Sequence, residues 1–233
     1  MWTFISRNGL ILAGFAVVST GLIAMTFYAT KDEIAAAQEK QLLSVLNELV
    51  PHDKHSNELH TDCIIVKADP LLGNQPQRIF RARQNGDNYA AIVETTAPDG
   101  YSGDIELVVA VDTNLNSLGA RVIAHRETPG LGDKIDLRIS DWIKSFTDVS
   151  YSEETRSRWQ VKKDGGQFDQ FTGATITPRA VVNAVKNAII YVELHGQSIF
   201  ESPSSCGAPD TLVTPDIAST GSQTNNHTNG RYQ

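Results

Sequence analysis

The chain has 233 residues, of which 40% are hydrophobic and 20% charged, and its formal net charge is −7. This composition is typical of a globular protein with one domain of ordinary size plus appendages, so disorder cannot dominate it. No block of lysine or arginine occurs, which disfavours a nucleic-acid partner because phosphates are neutralised by basic patches.

An apolar segment near the N-terminus is long enough to cross a membrane. Residues 8–30 contain no charged side chain, and a helix of that length spans about 34 Å. A cleaved secretory signal has the same order of elements, but its apolar stretch is about 7–15 residues long and ends at small residues. This one ends with Phe27 and Tyr28. The sequence therefore predicts a short stub at 1–8 and a retained transmembrane helix at 9–30. The basic residues beside the span, Arg7 before it and Lys31 and Lys40 after it, leave the orientation open.

The soluble part begins with a helix and continues with strands. Residues 31–50 place apolar side chains along one stripe and are predicted to form a helix, which a proline ends. A polar loop reaches residue 62, and its three histidines fit a solvated loop better than a metal site. Five β-like runs separated by turn signals follow, at 63–66, 78–83, 89–95, 105–111 and 118–125. Their spacing favours an antiparallel meander.

The remaining elements complete an α+β domain. A short helix opened by Ser140 is predicted, then a strand at 159–163. The last helix is predicted to start with Thr177 as N-cap and to run to about Leu194. The result is a mainly antiparallel β domain with flanking helices over 63–198, followed by a polar, disordered tail at 199–233.

Two segments that contain glycine are candidate sites, and the first is 127–134. Gly130 and Gly132 would let the backbone approach a flat ligand closely. Lys134 could place a positive charge beside a phosphate or a reduced flavin ring. A tight turn between a strand and a helix explains the same residues without a ligand, so both interpretations stay open.

The second segment is 169–178, where Thr175 precedes the predicted N-cap by two residues. A phosphate esterified to Thr175 would face the unpaired N–H groups at the helix N-terminus, with Arg179 as a possible partner. A threonine hydroxyl has no inherent reactivity at neutral pH, so such an attachment requires an external enzyme. A glycine-containing loop that caps a helix is the alternative without a ligand.

The second segment also carries a specific signature. Asp169, Thr172, Gly173, Ala174 and Thr175 match the pattern D-x-x-[S/T]-G-A-T completely. In this the chain resembles the G subunit of the Rnf (Rsx) electron transport complex, a family related to the C subunit of the sodium-pumping NADH:quinone oxidoreductase. The final threonine of that signature holds FMN through a phosphoester, which implies one covalent FMN per chain, on Thr175.

The resemblance implies further flavin contacts, because the stretches at 127–132 and 100–103 look like the flavin-contacting segments of the family. The cofactor-binding residues that it implies are Thr175, Thr172, Gly173, Ala174, Asp169, Thr128, Gly130, Leu131, Gly132, Lys134, Tyr101 and Ser102. No catalytic residue and no independent catalysis are expected, since an electron carrier needs neither.

The resemblance also implies a setting for the chain. Its soluble domain is expected to face the periplasm from a bacterial inner membrane, which would make the stub at 1–8 cytoplasmic. The expected partners are the other subunits of the Rnf/Rsx complex, which couples electron flow between NADH and ferredoxin-type carriers to ion movement, and an FMN transferase for maturation. The competing hypothesis is a membrane-anchored module that binds a flavin or another ligand noncovalently and does no redox work.

The only two cysteines, Cys63 and Cys206, fit no zinc or iron–sulfur spacing, so no metal is predicted. A periplasmic location would put both thiols in an oxidising compartment, where a disulfide is possible. The sequence cannot test the geometry of such a bond, and free thiols remain the alternative.

Overall fold

The protein is described by a computed structural model that covers residues 2–206. Two helices pack against one six-stranded antiparallel sheet, and the strands lie across the sheet in chain order. The helices are α1 (Trp2–Leu49) and α2 (Ile176–Glu201). The strands are β1 (Cys63–Val66), β2 (Gln77–Gln84), β3 (Asp87–Ala97), β4 (Ile105–Asp112), β5 (Asn116–Ala124) and β6 (Val149–Ser150). The predicted α+β class and the meander are confirmed.

Both faces of the sheet are covered, because successive side chains of a strand point to opposite faces. On one face, Val109 and its neighbours join a core that includes the buried side of α2. On the other face, Val108 and its neighbours pack against the end of α1. This explains why β4 is apolar at nearly every position, since a strand covered on both sides has little use for polar side chains.

Helix α1 is continuous, and the two predicted helices at 9–30 and 31–50 are parts of it. It begins at Trp2, inside the predicted stub, and it ends at Leu49, before the proline. The apolar side chains of its first part contact nothing else in the described protein; Leu10, for example, is 74% exposed. By length and composition this part could cross a membrane, although a leader sequence would pass the same test.

The last two turns of α1 fix it to the sheet. Leu42, Leu46 and Leu49 are buried in the second core. The Nε and Nη2 groups of Arg121 on β5 donate to the same carboxylate oxygen of Glu48, at 3.0 and 2.8 Å. An apolar contact and an ion pair therefore join the N-terminal helix to the strand that leads to the candidate site.

Helix α2 differs from its prediction at both ends. Its N-cap is Thr175 rather than Thr177, because the Thr177 hydroxyl is turned inward to a buried carboxylate and lies in the first turn. The helix also runs past Leu194 to Glu201, since Ile199 still packs in the core. A helix of 26 residues thus covers one sheet face, and its N-terminus lies beside the loop between β3 and β4 and the chain that leaves β5.

The segment between β5 and α2 contains short 3-10 helices, and one of the two elements predicted there does not form. Ser140 opens the predicted helix, as expected, by accepting a hydrogen bond from the Trp142 amide. The predicted strand at 159–163 is wrong, because only a single bridge from Val161 to Phe168 forms there. Trp159 is fully buried in an aromatic cluster instead, so its apolar pattern reflects packing rather than pairing.

The chain after α2 returns to the edge strand β1, so the predicted tail starts later than residue 199. The Ser205 amide donates to the Cys63 carbonyl at 2.8 Å, and the Ile65 amide donates to the Ser205 hydroxyl at 2.8 Å. Cys63 and Cys206 form a disulfide, with their Cα atoms 5.3 Å apart. The sequence had left open whether these two thiols are bonded or free. The rest of the predicted tail, 207–233, lies outside the described residues.

Candidate functional site

The first glycine segment forms a tight turn directly after β5. The Thr128 carbonyl accepts hydrogen bonds from the amides of Leu131, Gly132 and Asp133, at 3.1 to 3.4 Å. Gly130 has a φ of +78°, a left-handed conformation that a proline at the preceding position favours in a type II turn. A short 3-10 helix, Gly132–Ile135, follows at once. The turn is therefore compact, and its outer residues Thr128 and Leu131 are exposed.

The second segment forms another turn that leads into α2. The Ala174 amide donates to the Phe171 carbonyl at 3.1 Å, and Gly173 has a φ of +81°. Thr175 then takes the N-cap position, where its hydroxyl makes no capping hydrogen bond. The first backbone bond of the helix runs from the Arg179 amide to the Thr175 carbonyl at 3.3 Å. The amides of Ile176 and Thr177 therefore precede the helical hydrogen-bond ladder and face the N-terminal end.

A buried carboxylate joins three segments at this point. Glu127 is only 5% exposed. Its Oε2 accepts the Thr177 hydroxyl at 2.5 Å, and its Oε1 accepts the Ser102 amide at 3.0 Å. The helix N-terminus, the turn after β5 and the loop between β3 and β4 are thus held together by one side chain.

These three segments enclose a cleft of about 280 Å³ beside the N-terminus of α2. It is lined by Tyr101, Glu127, Thr128, Leu131, Gly132, Gly173, Ala174, Thr175, Ile176 and Thr177. Seven of the residues that the sequence singled out are among them, and they come from three separate stretches of chain. The large apolar side chains of Tyr101, Leu131 and Ile176 are exposed at the cleft, at 68%, 43% and 47%.

The other five predicted residues lie nearby but do not line the cleft. Gly130 and Thr172 belong to the two turns and are exposed. Ser102 contributes its amide to Glu127 and borders a neighbouring hollow. The remaining two are charged. Asp169 is exposed and pairs with Lys162 at 2.6 Å, and Lys134 places its ammonium group 6.0 Å from the centre of the Phe171 ring.

Arg179, considered above as a phosphate partner, already has a carboxylate partner. Its Nε and Nη2 groups donate to the two oxygens of Asp164, at 2.7 and 2.9 Å. These hydrogen bonds hold the pKa of the Asp164 carboxyl below its usual value. The side chain of Arg179 is 43% exposed and that of Asp164 is 32% exposed, so water screens the pair and it contributes little to stability. Arg179 therefore lies in the first turns of α2 but is bonded away from the cleft.

Three residues that line the cleft were not among the predicted contacts: Glu127, Ile176 and Thr177. Glu127 stood in a stretch already singled out, but a single glutamate in sequence gives no sign that it is buried. The available signal was the glycines around it, because a Cβ on Gly100 or Gly132 would approach its carboxylate to 2.9 or 2.7 Å. Within residues 2–206, no group of three or more His, Cys, Asp or Glu side chains is arranged to hold a metal ion.

Two family models match parts of the chain. Residues 100–190, which contain all three segments, match the family model of the FMN-binding domain. Residues 1–49, which span α1, match the model of the RnfG N-terminal region. The chain therefore contains an FMN-binding domain preceded by an N-terminal helix.

The relatives define the family more narrowly. The G subunit of the ion-translocating oxidoreductase complex of Pseudoalteromonas atlantica is 51% identical over 207 residues, which cover 88% of this chain and 96% of the relative. The corresponding G subunit of Vibrio cholerae is 52% identical over 206 residues, covering 88% and 99%. The chain belongs to the family of G subunits of the ion-translocating (Rnf) oxidoreductase complexes.

Proposed function

We propose that this chain is a membrane-anchored electron-transfer subunit that carries one FMN, joined by a phosphoester to Thr175. It works within a multi-subunit, ion-translocating redox complex of the Rnf/Rsx type, in which other subunits donate and accept the electrons. An FMN transferase attaches the cofactor from FAD, with AMP as the leaving group, because a threonine hydroxyl has no inherent reactivity at neutral pH. The observation that carries the proposal is the position of the signature threonine, at the N-cap of α2 on the edge of the cleft.

The cleft fits the cofactor that the family model names. The amides of Ile176 and Thr177 precede the helical ladder and can donate to phosphate oxygens, and the helix dipole favours the negative charge by about 0.3–1 kcal/mol. Gly132, Gly173 and Ala174 leave the lining flat, and Tyr101, Leu131 and Ile176 offer apolar surface to an aromatic ring. The proposed flavin contacts are the predicted residues of these three segments, together with Ile176 and Thr177.

The division of roles follows from this geometry. Bound FMN supplies a ring that accepts one or two electrons and passes them on. Thr175 follows the Phe171–Ala174 turn, lines the cleft and is partly exposed, so a transferase can reach it. Thr177 and Glu127 fix the first turn of α2 against the turn after β5, so the attachment point stays next to the lining residues. A covalent phosphate keeps a carrier from dissociating while the ring remains free to react.

Peptide mass spectrometry tests the proposal directly. Full-length protein is produced together with the transferase, digested, and searched for a peptide whose mass has increased by that of FMN less one water. We expect the modification on the peptide that contains Thr175, and a fluorescent band that survives denaturing electrophoresis. Flavin on a different peptide would contradict the assignment. A flavin released entirely by denaturation would establish the noncovalent binding module instead.

We further propose that α1 crosses the inner membrane, with the N-terminus cytoplasmic and residues 31–233 periplasmic. The uncovered apolar side chains of α1 support an anchor, because outside lipid they would face water. The Cys63–Cys206 disulfide supports an oxidising compartment for the sheet. Protease added to spheroplasts is expected to degrade the protein to its membrane stub, and the same protease added to intact cells is expected to leave it whole. Full protection in spheroplasts would refute the orientation.

A further inference from the structure

We infer that Glu127 lowers the reduction potential of the flavin, because its carboxylate opposes the negative charge that each electron brings into the cleft. This inference rests on the proposed function, since it concerns an FMN bound through Thr175. It goes beyond that function by naming one residue that sets how readily the site accepts electrons.

Glu127 is the only charged residue among those that line the cleft. It has no salt bridge to any lysine, arginine or histidine within residues 2–206. Lys134, the cation that the sequence suggested for the flavin ring, lies over the Phe171 ring and is not a lining residue. Among the lining side chains the one full charge is therefore negative.

The carboxylate is held in place rather than free to turn away. Each of its oxygens accepts one hydrogen bond, from the Thr177 hydroxyl and from the Ser102 amide. Gly132 and Gly100 leave just enough space around it, because a Cβ at either position would approach its oxygens to within 3 Å. A buried anion that is fixed by neutral donors keeps most of its field, since water cannot reorient around it.

The effect on electron transfer follows from the sign of this charge. An electron that arrives from the donor subunit adds one negative charge to the cleft unless a proton accompanies it, and the same electron later leaves to the acceptor subunit. Repulsion from Glu127 destabilises the reduced form relative to the oxidised form. Glu127 itself gains and loses nothing in this cycle, so it is a positioning and tuning residue rather than a catalytic one.

The test compares reduction potentials of full-length protein that has been loaded with FMN by the transferase. In Glu127→Gln the side chain keeps its shape and loses its charge, so the midpoint potential should rise. We expect about a tenfold change in the ratio of reduced to oxidised flavin at a given potential, which for a two-electron couple is about 30 mV. The control Glu193→Gln removes the same charge about 26 Å further along α2, well beyond the Debye length of about 8 Å, and should leave the potential unchanged.

A second variant separates charge from structure. Thr177→Val keeps the carboxylate and removes its hydroxyl donor with little change in shape, so the potential should fall or stay the same. A higher potential in Glu127→Gln, together with a lower or unchanged potential in Thr177→Val, supports the inference. An unchanged or lower potential in Glu127→Gln overturns it, and so does a higher potential in Thr177→Val, which also decides the matter if Glu127→Gln carries no flavin. Wild-type protein without flavin on Thr175 would instead refute the proposed function, and this inference with it.

Discussion

Replacing Thr175 with alanine should abolish covalent flavin completely while leaving the protein folded. The attachment is lost because alanine has no oxygen to form the phosphoester. The fold is kept because the Thr175 hydroxyl makes no capping hydrogen bond and the side chain lies at the edge of the cleft. The expected result is the disappearance of the fluorescent band on a denaturing gel, with a melting temperature close to that of the wild type.

Two further variants make this result specific. Thr175→Ser retains a hydroxyl at the same place and should carry flavin at a lower level. Thr172→Ala removes the other threonine of the signature, which is exposed in the same turn, and should reduce attachment without abolishing it. Covalent flavin that persists in Thr175→Ala, or that disappears only in Thr172→Ala, would show that the phosphoester is on another residue.

Reduction of the Cys63–Cys206 disulfide should be the most destabilising single chemical change in the soluble part. The bond closes a loop of 143 residues, and in the chain-entropy model such a crosslink contributes about 5 kcal/mol. For a protein of this size that corresponds to a fall in melting temperature of about 10–20 °C. The measurement is thermal unfolding of the detergent-solubilised protein, with and without a reductant.

The matched control is the variant in which both cysteines are replaced by alanine. Its melting temperature should equal that of the reduced wild type and should not respond to the reductant. The Ser204 and Ser205 bonds to β1 remain in this variant, so the chain end should stay near the strand. A wild-type protein whose unfolding is unchanged by reductant would contradict the prediction.

Much of the fold could be predicted because its signals are local. The Asn85-Gly86 turn and the apolar runs on either side of it specify the β2–β3 hairpin, as such a dipeptide suits two left-handed residues. The predicted strand at 159–163 was wrong because buried apolar residues give the same sequence pattern whether they pair in a sheet or pack in a cluster. Trp159 packs in an aromatic cluster. The prediction also failed at Thr177, since the usual N-cap preference of threonine was overridden by a partner 50 residues away.

The candidate site also contains some residues that the sequence could identify and others that it could not. The signature residues and the glycine turn are contiguous in sequence, so a motif could point to them, and Gly130 and Gly173 have the left-handed conformations that explain their presence. Glu127 could not be assigned this way, because its importance depends on two contacts with distant segments. The field inside the cleft is likewise a property of the assembled structure. The sequence suggested that Lys134 would place a positive charge beside the flavin, whereas the charged side chain that lines the cleft is the acid Glu127.

The uninterrupted α1 has a mechanical consequence for a carrier of electrons. The helix leaves its apolar part as an exposed rod over residues 31–41, about 16 Å long, and then enters the second core without a hinge. If residues 9–30 lie in a membrane as proposed, this rod holds the sheet at a fixed distance from the bilayer, and the Glu48–Arg121 pair helps to set the direction in which the sheet faces. A cofactor in the cleft would then not swing on a flexible tether, so an electron donor or acceptor would have to approach it at that distance and within a narrow range of angles.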